Sequence, residues 1–168
     1  RIEPEYVELA TGETVPESEV VPFTAYNAKQ IANDSSLGMP APENASNIIR
    51  VPKYALVYRV KDESGAVSKV VLPIEGYGLW GTLFGYLAVE KDGQTIAGIT
   101  YYEHKETPGL GGEVDNPRWK ETWVNRKIYE EGAVRIAVRK GVAGSPEEDP
   151  YHADGISGAT ITCNGVTN

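Results

Sequence analysis

The chain has 168 residues, with 16 lysines and arginines against 24 aspartates and glutamates, which gives a net charge of −8. Its length suits one domain with a full hydrophobic core, and its acidic balance argues against nucleic acid or an anionic membrane surface as a partner of these residues. The single cysteine, Cys163, excludes an intramolecular disulfide and a multi-cysteine metal site. Two histidines are too few for a histidine-rich metal site, whereas a mixed histidine and carboxylate site stays open. No apolar run approaches the roughly 20 residues needed to span a bilayer.

The first 50 residues show little patterning apart from one helix. Residues 1–21 are polar and acidic, which predicts a loosely packed lead-in. Residues 24–36 predict a helix, because their alanines and one isoleucine recur at helical spacing and Gly38 follows as a stop. Residues 38–47 contain two prolines and several small polar residues, so we expect a surface loop there.

The middle of the chain predicts a sheet. Four stretches have the alternation and the β-branched or aromatic residues typical of strands: residues 54–60, 66–74, 82–90 and 95–102. The last two form the clearest hairpin, with a turn at Asp92 and Gly93. Further on, we expect a helix within residues 117–129 that starts at Pro117, a strand at 134–139 and an acidic loop at 144–150. The predicted fold class is therefore α+β, a largely antiparallel twisted sheet with packed helices.

The stretch from Asp154 to Thr160 has the composition of a loop that turns into a helix. Gly155 and Gly158 allow backbone conformations that other residues resist, and hydroxyls lie where the helix would begin. The free N–H groups of such a helix start favour a bound anion, phosphate above all. Small residues around Thr160 would leave its hydroxyl reachable by a large molecule. The alternative interpretation is an ordinary capped surface turn.

Two other stretches are unusually rich in glycine. The segment from Gly76 to Trp80 bends the chain sharply between two strands and puts a tryptophan at the start of the second. Trp80 is then either a core residue or a flat wall beside a planar ligand. Residues 101–113 run from a strand end into a loop with Pro108 and three glycines. Such a loop suits bringing backbone N–H groups close to something flat and polar.

Neither histidine makes a convincing catalytic group. His104 lies beside acidic residues, but no second histidine, cysteine or nucleophile accompanies it. His152 is the histidine nearest in sequence to the hydroxyls of Ser157 and Thr160, yet a solvated loop histidine is the simpler interpretation, so a hydrolase triad is poorly supported. Neither G-x-G-x-x-G nor G-x-x-x-x-G-K-[ST] occurs, which argues against the ordinary nucleotide-binding folds.

Taken together and in this order, the three stretches resemble the C subunit of the sodium-translocating NADH:quinone oxidoreductase, over about residues 54–166. The resemblance is carried by the turn Gly78-Leu79-Trp80, the loop Glu106-Thr107-Pro108-Gly109-Leu110-Gly111 within residues 103–113, and the flavinylation motif formed by Asp154 and Ser157-Gly158-Ala159-Thr160. Cys163 departs from the serine expected after the modified threonine, but the attachment residues are intact.

The resemblance implies an FMN joined to Thr160 through a phosphoester bond. Ser157, Gly158 and Ala159 would be the small residues that let a flavin transferase reach the threonine, and Asp154 would mark the motif for that enzyme. The implied contacts to the isoalloxazine ring come from Leu79, Trp80, Glu106, Thr107, Leu110 and Gly111. No catalytic residue and no metal ligand is implied, because the protein around a flavin carrier supplies position, electrostatics and exclusion of competing reactions.

The resemblance also implies an assembly and a location. The chain would be an electron-carrying part of a sodium-pumping complex in the bacterial inner membrane, with other subunits as partners and with this domain facing the periplasm. Residues 1–50 would form a helical or loop lead-in after a membrane anchor that the sequence lacks, and residues 51–168 would be the FMN-binding domain, all within one globular unit.

Two alternatives stay open at this point. The equivalent subunit of an Rnf-type ferredoxin–NAD electron-transfer complex has the same flavin-threonine motif. An extracytoplasmic binding or structural domain without flavin would use the sequence Ser157-Gly158-Ala159-Thr160 merely to cap a helix.

Overall fold

The computed structural model of the protein describes residues 1–20, 27–44 and 48–168. Its strands are β1 (Ile2–Glu8), β2 (Thr14–Val15), β3 (Gly38–Pro40), β4 (Arg50–Pro52), β5 (Tyr54–Lys61), β6 (Val67–Tyr77), β7 (Thr82–Glu90), β8 (Ile96–Glu103), β9 (Tyr129–Glu130), β10 (Ala133–Val134), β11 (Ala137–Val138) and β12 (His152–Ala153). Its helices are α1 (Glu17–Val20), α2 (Ala28–Asn33), α3 (Pro117–Glu121) and α4 (Thr160–Thr167), and a 3₁₀ turn covers Gly111–Asp115.

A six-stranded antiparallel sheet, in the order β2-β1-β5-β6-β7-β8, forms the centre of the described chain. Two smaller antiparallel pairs join β3 to β4 and β9 to β10, and β11 pairs with β12 in parallel. The predicted α+β class with a largely antiparallel sheet is confirmed. The longest helix in the described ranges, α4, has eight residues, and none of these helices could span a membrane.

The prediction of a loosely packed lead-in at residues 1–21 is wrong for β1, which pairs with β5 along its whole length. Cross-strand ion pairs explain the difference. Glu3 lies 2.6 Å from the ammonium group of Lys61, and Glu5 pairs with Arg59. Because opposite charges on neighbouring strands stabilise a sheet, acidic residues typical of a solvated segment occur here in a regular strand. Val21 lies outside the described residues.

Helix α2 falls inside the helix predicted at residues 24–36, and residues 24–26 lie outside the described part of the chain. Asn27 begins the helix, because its side-chain oxygen accepts a hydrogen bond from Gln30 N at 3.0 Å. The predicted helix therefore forms, with a cap that fixes its start.

The surface loop predicted at residues 38–47 is wrong at its beginning, where β3 pairs with β4. Gly38 makes this possible, since a Cβ atom there would lie 2.0 Å from the carbonyl oxygen of Ala32. The chain thus passes too close to the end of α2 for any side chain at this position. Residues 45–47 lie outside the described ranges.

The four predicted central strands are confirmed as β5 to β8, with β6 extended to Tyr77 and β8 extended to Glu103. Asp92 closes the β7–β8 turn, because its Oδ1 accepts hydrogen bonds from Gln94 N at 2.9 Å and Thr95 N at 2.8 Å. The two extensions matter for function, since β6 and β8 lead directly into the glycine-rich turn and the glycine-rich loop.

The helix predicted within residues 117–129 is confirmed as α3, which starts at Pro117 as predicted and ends at Glu121. Asn125 has a positive φ of 66°, which a helix cannot contain, and Tyr129 already belongs to β9. The strand predicted at residues 134–139 is divided between β10 and β11, because the first pairs with β9 and the second with β12.

The acidic loop predicted at residues 144–150 wraps around the buried guanidinium of Arg126. This group donates hydrogen bonds to Gly144 O at 2.6 Å, to Ser145 O at 3.3 Å and to Asp149 O. Backbone carbonyls therefore supply the hydrogen-bond acceptors of a buried cation, and they hold the loop against the segment that follows α3.

The hydrophobic core lies between the sheet and the C-terminal half of the chain. Leu83 and Ile96 of the sheet are fully buried in one cluster with Trp119 and Trp123, whose indole rings meet edge to face at 5.7 Å. This cluster fixes the surface over which the C-terminal loops run.

Helix α4 packs backbone to backbone against β6. A Cβ atom on Gly76 would lie 1.9 Å from Gly165 O, and one on Gly165 would lie 2.2 Å from Tyr77 O. Only glycine at both positions allows this approach. The contact brings α4 to the end of the sheet where β6 enters the glycine-rich turn.

Candidate functional site

The turn between β6 and β7 presents two apolar side chains to solvent. Gly78 N donates a hydrogen bond to Gly81 O at 2.8 Å, which closes the turn. Leu79 is 49% exposed and Trp80 is 61% exposed, values that are high for such large apolar residues. The indole N–H of Trp80 donates to Thr107 Oγ1 at 3.1 Å. Trp80 is therefore not a core residue, and its ring lies on the surface, tied to the glycine-rich loop.

The carboxylate of Glu106 joins three parts of the site. It accepts hydrogen bonds from Trp80 N at 2.9 Å, from Leu79 N at 3.3 Å and from the hydroxyl of Thr162 in α4. Glu106 is only 6% exposed, so these three donors replace the water that a carboxylate needs. The predicted ring-side residue Glu106 thus has its oxygens engaged inside the protein, where they connect the turn, the loop and the helix.

Two glycines make room for this carboxylate. A Cβ atom on Gly78 would lie 2.6 Å from Glu106 Oε1, and one on Gly111 would lie 2.5 Å from Glu106 Oε2 and 2.4 Å from Thr162 Oγ1. Any side chain at these positions would displace the carboxylate. Gly78 and Gly111 therefore shape the site through the close packing that they permit.

The glycine-rich loop brings Leu110 against the flavinylation motif. Leu110 N and Gly112 N both donate to Thr107 O, at 3.1 Å and 2.9 Å, and Gly109 provides the positive φ of 77° that this tight turn requires. Leu110 Cδ2 lies 3.0 Å from where a Cβ atom of Gly158 would be. The structure thus brings together the loop and the motif, which lie about 50 residues apart in the sequence.

Asp154 holds the motif loop through both its backbone and its side chain. Asp154 O accepts the indole N–H of Trp119 at 2.8 Å, and its Oδ1 accepts Ala143 N at 2.8 Å. Its own N–H donates to Thr122 Oγ1 at 3.3 Å. The residue predicted as a recognition mark for a transferase therefore has a clear architectural role as well.

Thr160 begins α4 and is exposed, whereas Thr162, two residues further along the same helix, is buried. No side chain among the described residues caps this helix, and Ala159 occupies the capping position. Ser157 and Gly158 are exposed, and Ala159 is buried. The alternative of a capped surface turn is not what the structure shows, because the helix start keeps N–H groups available for another acceptor.

Cys163 connects α4 to the motif loop. Its thiol is buried and accepts a hydrogen bond from Ile156 N at 3.4 Å. The predicted minor substitution thus has a small structural function, since sulfur and a serine hydroxyl can both accept such a bond.

Sequence reasoning missed residues 139–143, of which residues 139–142 line a cavity beside the motif. Gly155 N donates to Gly141 O at 2.8 Å, and a Cβ atom on Gly155 would lie 2.4 Å from Arg139 O. A cavity of about 490 Å³ lies between this segment and the motif, and Thr160 is among its lining residues. Gly141 and Gly144 were the only local signal in the sequence, and glycines alone do not identify a partner segment.

Both histidines serve loop structure. His104 Nε2 lies 2.8 Å from Asp115 Oδ2, and its Nδ1 accepts a hydrogen bond from Glu106 N at 3.2 Å. His152 Nδ1 lies 2.7 Å from Asp149 Oδ1. Within the described residues neither imidazole is hydrogen-bonded to a serine or threonine hydroxyl, so the geometry gives no support to a hydrolase triad.

A second cavity, of about 500 Å³, lies where β5 and β6 separate, because these strands are paired only from Tyr58 onwards. Its lining is mostly apolar, and burial raises the pKa of Glu75 there above its usual value. None of the predicted site residues lines this cavity.

The segments of the candidate site lie in a part of the chain that matches a known protein family. The sequence profile of the FMN-binding domain family matches residues 78–168, more than half of the chain. These residues include the turn, the glycine-rich loop, the missed segment 139–143 and the motif.

The chain is 44% identical over 168 residues to the C subunit of the Na(+)-translocating NADH-quinone reductase of Vibrio parahaemolyticus serotype O3:K6, and the match covers 98% of this chain and 64% of that protein. It is 39% identical to the C subunit of the same reductase from Yersinia pestis, over 100% of this chain and 62% of that protein. The chain thus spans slightly less than two thirds of these relatives. The crystal structure of Shewanella oneidensis NqrC matches with a TM-score of 0.88 and 34% identity, over 98% of this chain and 74% of that one.

The antiparallel sheet, the exposed threonine at an uncapped helix start and the matching profile together define an FMN-binding domain. Within this class the chain belongs to the family of C subunits of the Na(+)-translocating NADH-quinone reductases. FMN is the cofactor of that family.

Proposed function

We propose that the chain carries FMN covalently, through a phosphoester on Thr160, and acts as an electron carrier. One observation carries the proposal: the Thr160 hydroxyl is exposed at a helix start that no side chain of the described residues caps, between Leu110 and a cavity large enough for part of a nucleotide. A phosphate at this position would lie among free N–H groups at the positive end of the helix dipole, which offsets repulsion from a domain of net charge −8.

The proposed attachment forms one bond from Thr160 Oγ to phosphorus. A flavin transferase would supply the phosphoryl group from an activated flavin nucleotide, in which a P–O–P bond breaks. The leaving nucleoside phosphate takes the electron pair of that bond, and the hydroxyl proton of Thr160 passes to a base of the transferase. The net gain of the chain is FMN less one water. Small residues at Ser157, Gly158 and Ala159 leave the approach to Thr160 open.

The residues fit the ring as well as the phosphate. Trp80, Leu79 and Leu110 would supply apolar walls, and the Thr107 hydroxyl, held by the indole of Trp80, would supply a polar contact. FMN supplies one- and two-electron redox chemistry when bound. Glu106 and Gly111 would support the ring contacts from inside the protein. The Glu106 carboxylate accepts the backbone N–H groups of Leu79 and Trp80 and so positions these two residues.

We further propose that the whole protein relays electrons inside a sodium-pumping NADH:quinone reductase, with other subunits as partners. The names of the relatives support this proposal, and so do their greater lengths. Residues 51–168 would be the functional FMN-binding domain, and residues 1–50 the lead-in from a membrane anchor. Because β1 belongs to the central sheet, the lead-in and the domain form one folded unit.

A mass measurement tests the attachment. The chain is produced together with a flavin transferase and then denatured, and we expect its mass to increase by FMN less one water. The yellow colour should stay with the unfolded chain, and peptide mapping should assign the added mass to the peptide that contains Thr160. Thr160→Ala should remove both the mass and the colour, whereas Thr160→Ser keeps a hydroxyl and should retain part of the label.

Two results would overturn the attachment proposal. One is a flavin that persists in Thr160→Ala, and the other is a parent chain that stays unmodified although the transferase labels a known substrate in the same cells. The second result would favour the alternative of an extracytoplasmic domain without flavin.

The choice between a sodium-pumping reductase and an Rnf-type complex needs the assembled complex. We expect NADH to reduce the flavin of the purified complex directly, and reduction by ferredoxin alone would support the Rnf alternative. For the proposed location on the periplasmic side of the bacterial inner membrane, protease added to intact spheroplasts should remove the flavin-labelled domain. Protection from protease until the cells are lysed would place the domain on the inner side.

A further inference from the structure

The cavity beside Thr160 has two walls of different character. One wall is the motif itself, with Ser157, Gly158 and the first turn of α4. The other wall is formed by residues 139–142, a segment to which no function is assigned. The cavity measures about 490 Å³, which is too large for a phosphate alone and suits a phosphate with part of a sugar chain.

The second wall is fixed relative to the motif. Asp154 Oδ1 accepts Ala143 N at 2.8 Å, and Gly155 N donates to Gly141 O at 2.8 Å. Gly155 also lies so close to the segment that a Cβ atom would be 2.4 Å from Arg139 O. Three contacts at neighbouring residues therefore hold this segment at a defined distance from the loop that leads into Thr160.

The two cations of the segment differ in their partners. Arg139 Nη1 lies 3.0 Å from Asp149 Oδ2, so its charge is already paired. Lys140 is exposed, lines the cavity, and makes no ion pair with a carboxylate of the described residues. One lysine without an acidic partner among the described residues therefore lies at the edge of the cavity that Thr160 lines, in a domain with an excess of acidic residues.

We propose that Lys140 binds the phosphodiester formed at Thr160, and that residues 139–142 are the phosphate-side wall of the cofactor site. This inference rests on the proposed attachment of FMN to Thr160. A phosphodiester keeps one negative charge, and one ammonium group neutralises it. Lys140 lines this cavity and Leu110 does not, so the phosphate and the ring would contact different residues.

The proposal predicts that attachment shields Lys140. An ammonium group that pairs with an anion and is covered by a nucleotide reacts more slowly with an acylating reagent. Lys91 serves as the matched control, because it is exposed in the β7–β8 turn at the far end of β7 from Trp80.

The test compares the flavin-loaded chain with the same chain made without the transferase. Each is treated briefly with acetic anhydride, and mass spectrometry of peptides gives the acetylation rate at each lysine. We expect flavin loading to lower the acetylation rate of Lys140 about threefold or more, because the ammonium group gains an opposite charge nearby. The acetylation rate of Lys91 should stay unchanged. Lys140→Gln should slow the transferase reaction by about two- to fivefold, the range of one partly exposed ion pair, and Lys140→Arg should restore most of the rate.

The outcomes separate this inference from the proposed function. If the parent gains no flavin mass, the attachment at Thr160 has failed. If the parent is loaded and Lys140 reacts as fast as before, the attachment stands and the phosphate-side role of Lys140 is overturned. Slower transfer in Lys140→Gln that Lys140→Arg does not rescue would show that shape, and not charge, matters at this position.

Discussion

The two walls of the proposed cofactor site, one on the ring side and one on the phosphate side, are each held by one carboxylate, but the two carboxylates are used differently. On the ring side, Glu106 is buried and accepts two backbone N–H groups and the hydroxyl of Thr162. On the phosphate side, Asp154 is partly exposed, and its carboxylate accepts one backbone N–H, from Ala143.

The difference follows from desolvation. A buried carboxylate is costly unless several donors replace its water, whereas a partly exposed one keeps water and needs fewer. Glu106 therefore joins three segments into one rigid ring-side wall. Asp154 fixes residues 139–143 to the motif loop with fewer bonds.

The largest expected effect comes from removing the ring-side carboxylate. Glu106→Ala leaves three donors without an acceptor and opens a space between Gly78 and Gly111, so we expect a loss of about 3 kcal/mol or more in the free energy of unfolding. Urea titration followed by circular dichroism measures this loss in the unloaded chain. Glu103→Ala, at an exposed position in the same region, is the matched control and should change stability by less than about 0.5 kcal/mol. Equal effects for the two variants would show that Glu106 does not hold the wall.

Two threonines of α4 give the next contrast. Thr162→Val removes a buried hydroxyl that donates to Glu106, which should cost about 1 to 2 kcal/mol of unfolding free energy. Thr160→Val changes an exposed hydroxyl and should stay within about 0.5 kcal/mol, although it abolishes flavin attachment. Denaturation of both unloaded variants checks the order of stabilities. If Thr160→Val proves the more damaging, Thr160 has a structural role that its exposure does not indicate.

Substitutions of Asp154 test how the phosphate-side wall is held. Asp154→Ala breaks the bond to Ala143 N and should cost about 1 kcal/mol, whereas Asp154→Asn keeps an acceptor oxygen and should cost less. Thermal denaturation gives the stabilities, and the mass gain after expression with the transferase gives the extent of labelling. A stable Asp154→Asn chain that remains unlabelled would mean that the transferase recognises the charge itself, as the sequence suggested. Full labelling of the same variant would assign Asp154 to architecture alone.

The smallest expected effect on stability concerns Glu75. It provides the contrast of a carboxylate whose pKa is raised by burial alone. Its folded state holds the proton more tightly than the unfolded state, so the contribution of Glu75 to stability is present at low pH and is lost as the pH rises through the raised pKa. In Glu75→Gln the free energy of unfolding should therefore fall less steeply with pH, at pH values above the ordinary pKa of a glutamate. Unfolding free energies measured from pH 4 to pH 8, at about one-unit steps, check this slope. An unchanged slope would assign the pH dependence to other groups.

Local pattern was enough to predict the central strands and the start of α4. Strands β5 to β8 alternate or contain β-branched residues, and the β7–β8 turn contains an Asp-Gly pair. Strand β1 was missed, because its stability depends on Lys61 and Arg59, which lie more than 50 residues away and give no local signal.

The sequence provided candidate members of the site, but not what each of them touches. The resemblance carried by the three glycine-rich stretches predicts roles for Trp80, Leu110 and Thr160. The engagement of Glu106 with Thr162, and of Asp154 with residues 139–143, depends on how distant segments pack. Sequence patterns indicate which face of a helix or strand is buried. The orientation of a single carboxylate depends on the hydrogen-bond donors that the tertiary structure places around it.

The contact between Gly76 and Gly165 has a consequence for how a flavin on this chain could travel. Since the backbones of β6 and α4 touch, the helix that begins at Thr160 has no room to slide or rotate over the sheet. The helix itself therefore cannot carry an attached cofactor from donor to acceptor. Any change in distance to another redox centre that exceeds the reach of the phosphate and the ribityl chain requires the whole domain to move.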